Sequence, residues 1–281
     1  MSQNATFSRA RMLAEASVMI AISTVLSLPF MRLLDLPYGG SVTIASMLPV
    51  IIISYRHGIR WGLLTGFVFG LIQQLLGLKN LSYVTTWQSI LAVILLDYLI
   101  AFMMLGFGGL FKKFMSQPFA LLFGSLFVCI LRYACHVISG ATVWAGLSIP
   151  TNAALLYSFG YNATYMVPET IVTVLLAFEV GNLLDFSGDR IRRFTRSNDR
   201  VRRFPILKLI GGIAFAAALI YDVRSVFLHL QNAETGEFDI TGLSDANWIR
   251  IAVISGIGIV VLILCIILDA RQQKQQKEEN A

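Results

Sequence analysis

The chain alternates long apolar runs with short polar breaks, and the runs are longer than a soluble core helix requires. A helix that crosses a bilayer needs about 20 mostly apolar residues. Eight stretches approach that length: Met12–Leu34, Val42–Tyr55, Trp61–Leu78, Thr86–Phe111, Pro118–Val143, Ala154–Leu184, Pro205–Tyr221 and Trp248–Leu268. The second is short, which implies a tilted span or an earlier start. The sixth contains Pro168, tolerated where neighbouring helices re-satisfy the freed carbonyl. The pattern predicts an all-α polytopic membrane protein: a six-helix bundle over residues 1–185 and a two-helix transmembrane hairpin over 205–270. A basic cytoplasmic linker, 186–204, joins them, and a polar cytoplasmic tail, 271–281, follows. No internal repeat is evident, so an inverted-repeat carrier is not supported.

Composition sharpens this picture. Of 281 residues, 56% are hydrophobic and 14% charged, with mean hydropathy +0.71. A soluble domain carries about a quarter charged residues. The pI near 9.4 would point to nucleic acid in a soluble protein. Here the basic excess lies between apolar runs, where it sets orientation instead. With the N-terminus inside, the inner segments carry Arg9, Arg11, Arg56, Arg60, Lys112, Lys113, Arg271, Lys274 and Lys277. They also carry the run "RIRRFTRSNDRVRRFPILK" from Arg190. The outer segments carry only Arg32, Lys79, Arg224 and Arg250. Both termini are therefore expected in the cytoplasm, in a multi-pass protein of the cell membrane. The Arg190–Arg203 run reads as a topology signal touching anionic lipid, not as a nucleic-acid site. Cys129, Cys135 and Cys265 lie in apolar runs without ligand spacing, and read as small buried residues. The N-terminal apolar run is too long for a signal peptide's core and lacks a cleavage site after it.

Ionisable side chains inside apolar runs face a bundle interior and are functional candidates. Asp97, Arg132, His136 and Glu169 stand out. In "RYACHVISGATVWAG", Arg132, His136 and Gly140 recur every four residues and share one helical face. Trp144 follows in the next loop, where an interfacial anchor is the plainer use. In "LYSFGYNATYMVPE", Tyr157, Tyr161 and Tyr165 share a face, and Asn162 is an amide that needs partners in lipid. Arg132 reads as a structural counter-charge to Asp97 or Glu169. Asp97, His136, Trp144, Tyr157 and Asn162 all map to the outer halves of the fourth to sixth spans or their loops. Aromatic faces attract a cation, and amide and carboxylate edges fix orientation. The inventory suits a flat, polar, cationic heterocycle. No H-E-x-x-H, G-x-S-x-G or Walker A sequence is present, so neither zinc proteolysis nor ATP hydrolysis is expected of this chain. In the first run, Ser17 and Ala21 form a small-xxx-small step that permits close helix approach.

These residues carry a family resemblance. The stretch "PYGGSVTIASMLPVIIISYRHGIRWGLLTGFVFGLIQQLLG", then "LLDYLIAF", "HVISGATVW" and "YSFGYNATYMVPE", resembles the thiamine-specific membrane component (ThiT) of energy-coupling factor (ECF) transporters over about residues 10–185. The resemblance implies a six-helix substrate-binding (S) component with no enzymatic activity and no cofactor. Thiamine would be its ligand. Its partners would be a transmembrane coupling protein and two ATPase subunits that use ATP. It assigns ligand contacts to Asp97, Tyr98, His136, Gly140, Trp144, Tyr157 and Asn162. An aromatic ahead of the fourth span falls on Trp87 or Tyr83. In the first outer loop only Tyr38 could replace the tryptophan of some members. Docking on the coupling protein falls on Ser17 and Ala21. Residues 186–281 have no counterpart in that pattern. Three other readings stay open: a component for a thiamine-precursor pyrimidine, an intramembrane acid–base enzyme using Asp97, His136 and Glu169, and a proton-coupled carrier.

Overall fold

The computed structural model describes the backbone of residues 8–36, 39–84, 86–143, 152–194, 206–229 and 240–279. The chain divides into two compact units, Met1–Thr195 and Arg196–Ala281.

In the first unit, α1 (Arg9–Ser27) opens on Ser8, whose hydroxyl accepts from the Arg11 N–H at 3.3 Å. It stops where Leu28 precedes Pro29, since a proline disfavours helical backbone in the residue before it. A hairpin follows, β1 (Arg32–Asp35) against β2 (Ser41–Thr43), with Asp35 opposite Ser41.

Here the structure departs from the expected second span. Val42–Tyr55 is not one helix: β2 leads through Ala45, at φ 53°, into α2 (Leu48–His57) of 10 residues. Such a helix is about 15 Å long, half the thickness of a hydrocarbon core. The chain still returns along the length of α1. Arg56 and His57 at the end of α2 bond to Glu15 near the start of α1, while β2 pairs with the strand that follows its end. Non-helical backbone is tolerated at membrane depth where protein surrounds it. Val42 and Met47 are fully buried and Thr43 is 5% exposed.

Gly58, at φ +91°, turns the chain from α2 into α3 (Ile59–Leu76). The glycines at 62, 66 and 70 line one face of α3. A Cβ at Gly66 would collide with the carbonyl of Phe102 on α4 (Trp87–Lys113). Small residues at that spacing let two membrane helices approach closely. The middle of α4, Ile94–Ile100, is a π-helical turn. Then come α5 (Gln117–Thr142) and α6 (Asn152–Leu183), which pack along each other. In this unit α1, α3, α4, α5 and residues Ala154–Leu183 of α6 are long and apolar enough to cross a membrane.

After α6, β3 (Leu184–Asp185) pairs with β4 (Arg192–Arg193). Gln117 ties this junction down: its amide donates to the carbonyls of Gly181 and Leu184 and accepts from the Phe186 N–H. The basic stretch thus begins as ordered structure on the first unit, and residues 195–205 lie outside the described ones.

The second unit is a helix pair, α7 (Ile206–Leu228) and α8 (Trp248–Glu279). Residues Trp248–Asp269 of α8 are apolar and long enough to span. The 23 residues of α7 extend about 35 Å, also sufficient. Within the pair, the Ser255 hydroxyl donates to the buried Asp222 carboxylate at 2.5 Å.

Candidate ligand-binding site

The polar residues of the first unit gather where α4, α5 and α6 meet the hairpin loop. The π-helical turn in α4 carries Asp97 and Tyr98 in opposite directions. Extra width in a helix of this kind is frequent at functional sites. Asp97 turns toward α5, where its Oδ1 lies 2.8 Å from His136 Nδ1 and its Oδ2 accepts from the Ser139 hydroxyl at 2.5 Å. Tyr98 turns toward the end of α3, and its hydroxyl accepts from Asn80 Nδ2 at 3.0 Å.

From these two residues a closed ring of contacts can be traced. Asn80 lies against Gly39, whose carbonyl accepts from the Tyr161 hydroxyl at 2.7 Å. The Tyr161 ring meets Tyr165 edge-on at 6.4 Å, and Tyr165 meets the His136 imidazole at 5.9 Å. His136 returns to Asp97. Asn162 braces the ring from within α6. Its amide nitrogen donates to the carbonyls of Ser158 (2.9 Å) and His136 (3.2 Å), and its oxygen accepts from the Tyr165 hydroxyl at 2.7 Å. Tyr157 stacks on Tyr161, with centroids 6.1 Å apart and planes 16° apart.

Gly140 has a steric role. A Cβ there would collide with the Ser158 hydroxyl and sit 3.3 Å from Asn162 Nδ2. Gly140→Val is therefore expected to push α5 off α6 and displace Asn162, with at least a tenfold loss of ligand affinity. Titration of the purified variant checks it; wild-type affinity would show that the contact yields without consequence.

The other expected residues are not part of this ring or lie outside the described residues. Trp87 is 70% exposed and Tyr83 is also exposed, so both stand outside the ring. Trp144 and Tyr38 lie outside the described residues. Ser17 and Ala21 are on an exposed face of α1. Arg132 forms neither expected ion pair. Its guanidinium lies over the Phe102 ring at 4.2 Å and donates to Met47 Sδ at 3.0 Å. A cation on an aromatic face is stabilised without a carboxylate.

Glu169 does not join Asp97 and His136 either. It accepts from the Thr43 N–H at 2.5 Å and the Thr43 hydroxyl at 2.6 Å, holding the irregular segment before α2 against α6. The three acid–base groups of the enzyme reading thus do not converge. Among the described residues no three His, Cys, Asp or Glu side chains gather to hold a metal ion.

Sequence reasoning missed Ser139, Ser158, Asn80, Thr43 and Gln74. Ser139 was visible in principle, three residues after His136 on the same helical face. Gln74 follows Gly70 by one turn on the face toward α4, is 7% exposed, and has no hydrogen-bond partner among the described residues for either amide atom. Among the described residues, His136 Nε2 and Asn80 Oδ1 are likewise buried without partners. Buried polar groups are costly unless bonded, so these atoms mark where a polar molecule would find its bonds.

Comparison with known proteins places this architecture. A family model described as "Thiamine transporter protein" matches residues 13–182. The thiamine transporter ThiT of Bacillus subtilis (strain 168) is 36% identical over 178 residues, which cover 58% of this chain and 86% of that protein. A solved structure of ThiT from Listeria monocytogenes has a similar fold, with a TM-score of 0.50 and 21% identity, covering 62% of this chain and 94% of that one. The match takes in α1 to α6 and both sides of the ring, and it makes this multi-pass membrane chain a transport protein without enzymatic activity, a member of the thiamine transporter family.

Proposed function

We propose that the protein captures thiamine from outside the cell as the S component of an ECF-type importer. The observation that carries this reading is the ring joining Asp97, His136, Tyr165, Tyr161 and Asn80 to Tyr98. It offers a carboxylate and aromatic faces, which suit a cationic aromatic ligand. In this reading Asp97 supplies the negative charge that faces the aminopyrimidine. His136, Tyr157 and Trp144 pack on the ligand's rings, Gly140 and Asn162 shape and bond its edge, and Tyr98 bounds the far side. Trp87 or Tyr83 covers the mouth.

The same reading places both termini in the cytoplasm and assigns energy to partners. A transmembrane coupling protein would dock on the exposed face of α1 at Ser17 and Ala21, and two ATPase subunits would hydrolyse ATP. Leu13, Val18, Ile22 and Val25 on α1 are also exposed, giving that face an apolar rim around the small residues.

Two measurements test this. Calorimetry on the purified protein is expected to give sub-micromolar thiamine affinity, stronger than for the free pyrimidine precursor; absence of binding removes the substrate. Co-purification with coexpressed coupling and ATPase subunits tests the partners. Ala21→Trp is expected to abolish co-purification and leave thiamine affinity intact; undiminished co-purification would take α1 out of the docking role.

A further inference from the structure

Asp97 is bound at both oxygens by one face of α5. His136 and Ser139 are three residues apart, neighbours on a helix surface. Their donors meet the two oxygens of a single carboxylate at 2.8 and 2.5 Å. Ser139 is fully buried, the His136 side chain is 7% exposed, and the Asp97 side chain is partly buried at 13% exposed. An ionised carboxylate only accepts hydrogen bonds, so the imidazole nitrogen facing it must carry the hydrogen. A neutral imidazole then has its lone pair on the other nitrogen. That nitrogen, Nε2, is buried and has no hydrogen-bond partner among the described residues.

We propose that Ser139 is a positioning residue for thiamine capture: with Asp97 it holds His136 as the Nδ1–H tautomer, so that Nε2 presents a lone pair to an N–H donor on the ligand, the amino group of an aromatic amine. This rests on the thiamine reading for the ligand but not for the tautomer. The Asp97–His136 pair then carries one negative charge, which suits a cation. A proton taken up by the pair cancels that charge, and on His136 it would turn Nε2 from acceptor to donor. Capture therefore weakens on the acid side.

Among the described residues, the charged and titratable groups around the imidazole are few. Asp97 and Tyr98 come from α4, and Tyr165 from α6, its ring 5.9 Å away. Arg132 and Cys135 lie on α5 itself. Glu169 of α6 is bonded to Thr43. On α2, Arg56 and His57 are bonded to Glu15 at the other end of the unit, next to Tyr55. Removing the Ser139 donor destabilises the ionised carboxylate, so the coupled pair takes up its proton at a higher pH.

The test has a part that needs no ligand. Nitrogen-15 NMR of histidine-labelled protein in nanodiscs, with His136→Gln to assign the signal among the three histidines, reports the tautomer and its titration. The expected result is Nδ1–H for His136, with a midpoint about one pH unit higher in Ser139→Ala. Ser139→Thr, which keeps the hydroxyl, should restore it, and Ser139→Cys, which keeps the volume, should not. An Nε2–H tautomer in the wild type, or the same midpoint in Ser139→Ala and Ser139→Cys, overturns the proposal. Thiamine titrations from about pH 5 to 8 are the second part. In Ser139→Ala the acid limb of affinity should move to higher pH; an equal loss at every pH would mean that Ser139 only packs. If the wild type binds no thiamine at any pH, the substrate reading fails, and the NMR result still decides the tautomer.

Discussion

Replacing Asp97 by alanine is expected to weaken thiamine binding by about a thousandfold or more. The carboxylate has three tasks at once. It provides the site's charge, it holds the His136 imidazole at 2.8 Å, and it receives the Ser139 hydroxyl at 2.5 Å. A contact between the carboxylate and a cationic ligand contributes about 1.5–3 kcal/mol, and without the carboxylate the His136 and Ser139 donors lose the partner that fixes the geometry the ligand would meet. A net loss of about 4 kcal/mol corresponds to three decades in Kd. Asp97→Asn separates charge from shape: it keeps the volume but places an amide where two donors converge. It should bind nearly as poorly as Asp97→Ala. Isothermal titration of both variants, with circular dichroism to show retained helix, checks the result. An Asp97→Asn protein within tenfold of wild type would mean that charge is not what the site uses.

The second large effect lies at the opposite end of the first unit. Arg56→Ala is expected to lower stability by about 3 kcal/mol, and to do so without altering any group in the ring around Asp97. The Arg56 side chain is fully buried. It donates to both oxygens of Glu15 at 2.9 and 3.1 Å, and to the carbonyls of Phe186, Gly188 and Asp189 at 2.9, 3.3 and 3.2 Å. One guanidinium thus joins α1, the end of α2 and the turn after α6. Breaking a buried pair by removing one partner typically costs 3–5 kcal/mol; Glu15 keeps His57 and Arg11, which places the expected value at the low end. Arg56→Lys should not rescue, because an ammonium lacks the planar fork that reaches several acceptors in different directions. Thermal unfolding of detergent-solubilised protein measures the shift. A wild-type melting temperature in Arg56→Ala would show that this clasp is not a source of stability.

Much of the fold was legible because hydropathy and helical periodicity are local. The runs that became α1, α3, α4, α5 and α6 are apolar over the length a bilayer requires, whatever they pack against. The second run misled for a definable reason. A short apolar stretch reads alike as buried strand, buried helix or thin span, and only its surroundings separate them. Val42 to Met47 is not helical: the strand ends at Thr43 and a turn through Ala45 follows, and Glu169, 126 residues away from Thr43, supplies hydrogen bonds that a helix would otherwise provide.

The ring of contacts around Asp97 divides in the same way. The sequence by itself determined that Asp97, His136, Tyr161, Asn162 and Tyr165 are polar or aromatic groups inside spans. The ionisable and amide groups among them are too costly in lipid to face outward, and helical spacing sets which share a face. Only the tertiary structure decided their partners. Asp97 chose His136 and Ser139 on α5 over Arg132, and Arg132 settled on the Phe102 ring and Met47. Those choices depend on distances between helices that are far apart in the chain. They are set by how closely the glycine faces of α3 and α5 let their neighbours approach, and by the π-helical turn that aims Asp97 and Tyr98 apart.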